Sequence, residues 1–591
     1  MLGYPFDADN IMQNKRALKK QLMAQQNLLE KRVALFSGTT IGEIKNILEL
    51  FLLDNGIKPV FYEGDYGRYF EEIVFDSGEI AAFKPDVIYI NTSIHNLENL
   101  PYAGEDAGSV DNKLAAAMEK QKTLWDAASK LGCPIIQNNY EYPRIRVMGS
   151  YEAVAPSGKV RFINRLNELM AAYAFENGNI FINDLNYISA HYGLDSFTDP
   201  SYYNSYKYGI NPSAIPYLCH SVASIIKSVF GKNKKALMLD LDNTLWSGII
   251  GDDGVEGIRL GTESPEGIAH LDMQKYAKEL SGIGVILGVC SKNEEDAAKS
   301  GFEHPSSVLK VDDFASFKAN WNPKHLNLEA SAEQINIGID SLVFADDNPA
   351  EREIVRQAGR GVGVPELTAP ERFAETVSNA GYFEVTSLSA DDIKRAEMYR
   401  QNAVRAAEQQ SFVDYGQYLK SLDMHGYFGP FSGGQLERVT QLANKSNQFN
   451  LTTKRYQVNE MAERAAKPGV ITLYGRLEDK FGDNGLVSEV IANIDGENLD
   501  IELWLMSCRV LKREMEFAMF DCLVKQAKQH GIKTITGYYY KTAKNAMVAE
   551  FYSTLGFEKT EQNGDDSVWK YSIPDNYHNQ NNSIEVHYEQ N

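Results

Sequence analysis

Lys234-Lys235-Ala236-Leu237-Met238-Leu239-Asp240-Leu241-Asp242-Asn243-Thr244-Leu245 is a short apolar run that stops on two aspartates. The stretch Leu237–Asp240 reads as a strand buried on both faces of a parallel sheet, because it is apolar without alternation and too short for a helix. It delivers Asp240 and Asp242 at its carboxyl end, where open α/β sheets place their ligands. Two carboxylates at i and i+2 are costly there unless a cation or a proton binds. The pair suits a division of labour in which Asp240 attacks phosphorus and Asp242 protonates the leaving oxygen.

Downstream, the predicted strand Val285–Cys290 ends in Ser291-Lys292-Asn293, which offers a hydroxyl and a helix N-terminus to phosphate oxygens. Lys324 opens the following helix and can neutralise an aspartyl-phosphate; Lys318 is the second candidate for that role. The strand Ser341–Ala345 then ends in Asp346-Asp347-Asn348-Pro349, a second acidic pair. Any one of these acids could be no more than a helix N-cap, since aspartate caps well. Four such elements in order, each following a predicted strand or opening a helix, point instead to a phosphate-plus-metal site at one sheet edge. Magnesium suits it, taking oxygen ligands in an octahedron and keeping several waters.

The segments DLDNTLWSGIIGDDGVEGIRLG (240–261), VCSKN (289–293) and VFADDNPAERE (343–353) resemble the FkbH-like group, subfamily IIIC, of the haloacid dehalogenase superfamily over residues 234–368. The resemblance implies Asp240 as nucleophile and metal ligand, and Asp242 as acid/base whose backbone carbonyl also ligates. Ser291 and Lys324 would bind phosphate, and Asp347, with Asp346, would complete the magnesium shell. The short spacings from Asp242 to Ser291 and from Ser291 to Lys324 leave no room for a large cap domain. The site should lie open under a short flap at Gly248–Gly254, accessible to bulky or carrier-bound substrates.

At 591 residues the chain exceeds what one core organises, so several domains are expected. Hydrophobic content of 43% with 24% charge suits a globular chain, and no apolar run approaches the roughly 20 residues that cross a bilayer. The first thirty residues lack the apolar core of a signal peptide, which points to the cytoplasm. Five scattered cysteines without a CxxC pair predict reduced thiols and no structural zinc site. A net charge of −21 argues against nucleic acid as a partner.

The expected architecture is multidomain α/β. Residues 1–30 form a helical segment, and 31–230 an α/β domain with strands at 33–36, 58–61, 86–90, 134–137 and 179–183. Residues 231–368 form the capless phosphatase-like domain and 369–425 a helical linker. An α+β domain follows over 426–573, with strands at 470–477, 486–494 and 498–505 and a helix at 508–530. The tail 574–591 lacks periodicity and is expected to be flexible.

Residues 426–573 resemble the GNAT acyltransferase fold on Met506-Ser507-Cys508-Arg509, on Asn545-Ala546-Met547-Val548-Ala549-Glu550-Phe551-Tyr552 and on Leu555-Gly556-Phe557. The run Gln441-Leu442-Ala443-Asn444-Lys445-Ser446-Asn447-Gln448-Phe449-Asn450 is similar to FkbH-like chains. This resemblance implies a strand that opens beside a pantetheine arm, with Arg509, Asn545 and Tyr552 as acyl- or coenzyme A-binding candidates and Tyr552 protonating the leaving thiolate. The pyrophosphate loop departs from that pattern: it reads Val510-Leu511-Lys512-Arg513-Glu514, without glycine. Lys512 and Arg513 would have to compensate by charge, or the domain would dock a carrier's phosphopantetheine arm, or bind nothing.

The N-terminal domain is weakly similar to SGNH hydrolases on Ser37-Gly38-Thr39-Thr40, Asn91 and Tyr208-Gly209-Ile210-Asn211-Pro212. Thr39 then stands for the serine, Tyr208 for the aspartate and Asn211 for the histidine. An amide cannot serve as a general base, so a degenerate scaffold is expected. His95 and His191 read as structural.

FkbH-like proteins take a glyceryl unit from a phosphorylated three-carbon donor, remove phosphate and load an acyl carrier protein. Carried over, this implies a thiol that holds the acyl group, with Cys290 and Cys508 as candidates; a buried strand residue is the plainer account of Cys290. Two alternatives stay open: a phosphatase joined to a coenzyme A-dependent acyltransferase in saccharide or surface-polymer assembly, and outer domains that only bind partners.

Overall fold

The computed structural model describes residues 2–25, 28–75, 78–409, 412, 414–542 and 544–589. It divides into two compact units, Met1–Lys232 with Glu384–Ser387, and Asn233–Phe383 with Leu388–Asn591.

The first unit is a five-stranded parallel sheet of β1 (Leu29–Ser37), β2 (Ile57–Glu63), β3 (Val87–Asn91), β4 (Ile135–Asn138) and β5 (Ile180–Asn183), in the order β2-β1-β3-β4-β5. Alternate residues of β1 serve opposite cores. Val33 and Leu35 enter the one packed by helices Gly42–Asp54 and Ile215–Val229, while Ala34 and Phe36 enter the one packed by Ala107–Ser129 and Lys159–Glu176. Covering both faces is why these strands lack the hydrophobic–polar alternation of a half-exposed sheet. The leading helix spans Ala8–Met23, ending earlier than the run of helix formers suggests, and Asp7 caps it by accepting from Asn10 N at 2.9 Å.

The second unit contains two sheets. Four parallel strands, β6 (Ala236–Leu239), β7 (Ile286–Ser291), β8 (Phe314–Ala319) and β9 (Leu342–Ala345), run in the order β8-β7-β6-β9. Leu237 and Leu239 point into one core, Ala236 and Met238 into the other. The register pairs Leu239 with both Val289 and Ala345, so Asp240 and Asp346 leave their strands at the same level.

An eight-stranded mixed sheet follows: β10 (Met424–Gly429), β11 (Val470–Asp479), β12 (Gly482–Asp495), β13 (Asn498–Met506), β14 (Thr534–Tyr539), β15 (Glu558–Asn563), β16 (Asp566–Ser572) and β17 (Ile584–Tyr588). Their order is β15-β16-β14-β13-β12-β11-β10-β17.

Three local expectations change. β8 is a strand where the sequence pattern marks only the helices around it; Phe314, Ala315 and Ser316 are buried by β7, a tertiary cause. The helix expected over 508–530 is a 3-10 turn, Cys508–Val510, and then Met515–Gln529, with Lys512 and Glu514 at positive φ between them. The tail, expected to be flexible, carries β17, because the free edge of β10 supplies parallel backbone partners for Ile584–Tyr588. Among the described residues, no helix is long and apolar enough to cross a membrane.

Candidate active site

Asp240 follows β6 directly and is 7% exposed. The turn after it needs Asn243 at φ +56°, a left-handed conformation that asparagine tolerates. Lys324, at the start of helix Lys324–Ile335, sends its ammonium 3.0 Å from Asp240 Oδ1 and 2.5 Å from Asp346 Oδ2. Lys324, rather than Lys318, thus makes the ion pairs. One carboxylate oxygen from each of Asp240, Asp346 and Asp347 lies within 4.8 Å of the others.

Three acids beside one lysine leave unbalanced negative charge in a place from which water is largely excluded. Burial pushes the Asp240 carboxyl up to about 6, opposed by Lys324 and reinforced by Asp346 and further helped down by the Ser291 hydroxyl. Burial likewise raises Asp346 and Asp347, while Asp240 and Asp346 hold the Lys324 ammonium above its ordinary range against burial. An all-oxygen donor set with excess negative charge fits a hard divalent cation.

Asp242 turns its carboxylate away from that cluster. Its Oδ1 accepts from Trp246 Nε1 at 2.9 Å and from Ile250 N at 3.0 Å, and its Oδ2 from Asn293 Nδ2 at 2.9 Å. The Asp242 side chain is therefore not among the oxygens of that cluster. Trp246 can lie flat only because position 301 is glycine, where a Cβ would come within 2.6 Å of the indole. Asn293 also donates to Ser291 Oγ at 3.2 Å, joining the ends of β6 and β7.

Three supporting residues escape a reading of the sequence by strand ends. Thr244 Oγ1 accepts from Asp347 N at 3.1 Å and donates to Asp347 Oδ1 at 3.3 Å. Asn293 orients Asp242. Arg352, 2% exposed, binds the carbonyls of Asp346 and Asp347 at 2.8 and 2.7 Å and Glu366 at 2.6 Å. All three lie inside the quoted motifs, a few residues beyond the strand ends.

Cys290 is corrected as an acyl-carrying candidate. It points into the apolar core opposite the acids, is fully buried, and donates its thiol to Lys324 O at 3.6 Å. Burial pushes that thiol far above its ordinary range, so it presents no thiolate to an incoming donor. The Cys508 side chain lies outside the described residues.

Arg509, Asn545 and Tyr552 are not brought together as a binding surface. Arg509 is 8% exposed, its Nη1 on Met398 Sδ at 2.6 Å and its Nε on Ser507 Oγ at 3.1 Å. Asn545 is a buried tie, donating to the carbonyls of Asn450 and Tyr540 at 3.0 and 2.9 Å. Tyr552 is enclosed by Trp504, Phe551, Phe557 and Trp569, and burial holds its phenol far above the usual range, which unsuits it to protonate a thiolate. Arg513 is committed internally to Asp479 at 3.0 Å and is not available to a pyrophosphate.

β13 and β14 pair only from Asn498–Asp500 to Thr534–Thr536 and then part. The chain itself fills the gap: Met506 N donates to Phe449 O at 3.1 Å, Leu451 N to Trp504 O at 3.1 Å, and Tyr540 N to Leu451 O at 2.9 Å. A pantetheine arm entering there would have to exchange with Phe449–Leu451.

In the first unit, Asn91 donates to Ser37 Oγ at 2.9 Å, Asn138 to Asn91 Oδ1 at 2.8 Å and Asn183 to Asn138 Oδ1 at 2.7 Å. This amide ladder occupies the carboxyl ends of the strands. Thr39 Oγ1 receives only the Asn91 amide at 3.3 Å and lies near the Ser37 hydroxyl at 3.5 Å, while Asn211 caps Ser213. Among the described residues no base reaches Thr39. His95 stacks on Tyr203 and His191 meets Tyr4, as structural histidines do.

The family model for the FkbH N-terminal domain matches residues 51–227. A crystal structure of the N-terminal part of protein BF1531 from Bacteroides fragilis, containing a phosphatase domain complexed with Mg, is 31% identical, covering 64% of this chain and 99% of its own, with a TM-score of 0.59. The ribosomal-protein-S18-alanine N-acetyltransferase of Escherichia coli is 11% identical, over 26% of this chain and 99% of its own, TM-score 0.20. The PaiA N-acetyltransferase of Thermoplasma acidophilum, in complex with coenzyme A, is 15% identical, over 25% and 98%, TM-score 0.20. No curated protein matches significantly.

Proposed function

The chain belongs to the FkbH-like proteins, multidomain enzymes built around a phosphatase domain of the haloacid dehalogenase type, and from that premise we propose that the Asp240 cluster is a magnesium-dependent phosphoryl-transfer site. The observation that carries this is the convergence of Asp240, Asp346 and Asp347 beside the Lys324 ammonium. Asp240, Asp347 and the carbonyl of Asp242 would hold magnesium, which when bound offsets the charge of the acids and of the phosphoryl group.

Asp240 Oδ attacks phosphorus, and the bond to the leaving oxygen breaks as Asp242 supplies it a proton. Asp242 then takes a proton from water, whose oxygen displaces the aspartate and releases phosphate. Lys324 and the Ser291 hydroxyl hold phosphoryl oxygens meanwhile, and the three donors on Asp242 fix the orientation of its carboxyl group.

The substrate class we infer is a phosphorylated three-carbon acyl donor, with the acyl unit passed to the phosphopantetheine arm of a carrier protein. Support comes from the family and from the short spacings between Asp242, Ser291 and Lys324, which leave no room for a large cap. Cys508 is the remaining candidate for a thiol that holds the acyl group in transit.

The test is phosphate release and intact mass with a phosphoglyceryl donor. Asp240→Asn should lower magnesium-dependent release by more than about a thousand-fold with unchanged thermal stability. Retained activity would sink the assignment. An acyl adduct on the wild type that disappears in Cys508→Ala supports the transfer reading, and one that persists removes that thiol from it.

A further inference from the structure

The last strand of the chain brings two imidazoles and a carboxylate to the edge of the third sheet. β17 joins β10 in parallel register, with His425 opposite Glu585 and Tyr427 opposite His587. Residues two apart on a strand share a face, so all four stand on one side of the pair. There, His425 Nδ1 lies 3.3 Å from His587 Nε2 and 3.6 Å from Glu585 Oε2. His587 Nε2 lies 3.5 Å from Glu585 Oε1.

Donor atoms bound at zinc distances in a tetrahedron stand about 3.3 Å apart, the spacing of the two ring nitrogens here, each of which has one Glu585 oxygen 3.5 or 3.6 Å away. Two nitrogens and one oxygen form a donor set for borderline divalent metals rather than for magnesium. The outer nitrogen of His425 lies 3.8 Å from Asp423 Oδ1, a carboxylate near the ligating ring but beyond hydrogen-bond distance. Tyr427 stacks on His587 with ring centroids 5.1 Å apart and limits its rotation. The His425, Glu585 and His587 side chains are 35%, 65% and 40% exposed, so an ion can enter from solvent and keep a water.

We propose that His425, Glu585 and His587 form a binding site for zinc or a similar borderline divalent cation, which fastens the C-terminal strand to β10. The site is chemically separate from the all-oxygen Asp240 cluster and independent of the reaction assigned there. Without the ion, the rings of His425 and His587 share only a hydrogen bond.

The experiment titrates the full chain with zinc chloride by calorimetry in excess magnesium, for the wild type, His587→Ala and Glu585→Gln. One tight zinc equivalent is expected in the wild type, weakened by more than about ten-fold in each variant. Zinc should also slow cleavage after Glu585 and Glu589 by a serine-type glutamyl endopeptidase in the wild type but not in His587→Ala. Undiminished phosphate release certifies the fold of each variant. An isotherm unchanged by either substitution, or no zinc equivalent in the wild type, overturns the site; zinc uptake without protection of the tail overturns the fastening.

Discussion

Asp240 sits almost out of reach of water beside a second buried acid, so it holds its proton more tightly than a solvated aspartate does. With its carboxyl raised to about 6 by burial, a cation must displace that proton to bind below this pH. Magnesium affinity should therefore be nearly flat from pH 7 to 8 and weaken by about ten-fold per unit below 6, as one proton competes. Calorimetric titration at pH 5, 6, 7 and 8 reads this directly, and a flat profile down to pH 5 would contradict the burial argument. Asp240, Asp346, Ser291 and Lys324 were legible one by one because each ends an apolar strand or opens a helix. Thr244, Asn293 and Arg352 were not, because their contacts cross between elements.

At the scale of elements, the helix Arg395–Gln409 and the loop before Met515–Gln529 are joined through one carboxylate. Asp479, at the end of β11, accepts from Arg405 Nη2 at 2.7 Å and from Arg513 Nη1 at 3.0 Å, and all three are nearly solvent-free. Burial, helped by Arg405, pushes the Arg513 guanidinium down to about 10. Asp479→Asn keeps the shape but leaves two buried cations without a counter-charge. It should destabilise the second unit by about 3–5 kcal/mol in denaturant unfolding. A loss below about 1 kcal/mol would mean that Asn402, Asn484 and the Arg509 carbonyl suffice. The sequence marked the helical stretch, but Arg513 read there as a charge for a pyrophosphate, and nothing local predicts that Arg405 and Arg513 share a partner.

For the molecule as a whole, stability should depend on pH through the first unit. Glu141 is fully buried, accepts from Ile94 N at 3.1 and 3.2 Å, and is pushed up by burial from 4.5 to about 7. The folded state then holds this proton more tightly than the unfolded chain. Its stabilising contribution is present below about 4.5, fades as the pH rises, and is gone above about 7, a span of about 3 kcal/mol. Glu141→Gln keeps an oxygen for Ile94 N and removes the charge. Its unfolding transition should match the wild type near pH 4 and exceed it by up to that amount at pH 8; a constant gap would exclude Glu141 as the cause.

The order of apolar runs and the acids that end them determined by themselves that two of the sheets are parallel and that Asp240 and Asp346 stand at one sheet edge, since an apolar strand in a parallel sheet has to deliver its next residues to the carboxyl edge. What required the tertiary structure was every property set by a neighbour distant in sequence. Cys290 loses its role by facing the core, Asn545 and Tyr552 by being enclosed, and β17 exists because β10 has a free edge. Burial and hydrogen-bond satisfaction depend on what the rest of the chain places alongside, and that information is absent from any local pattern.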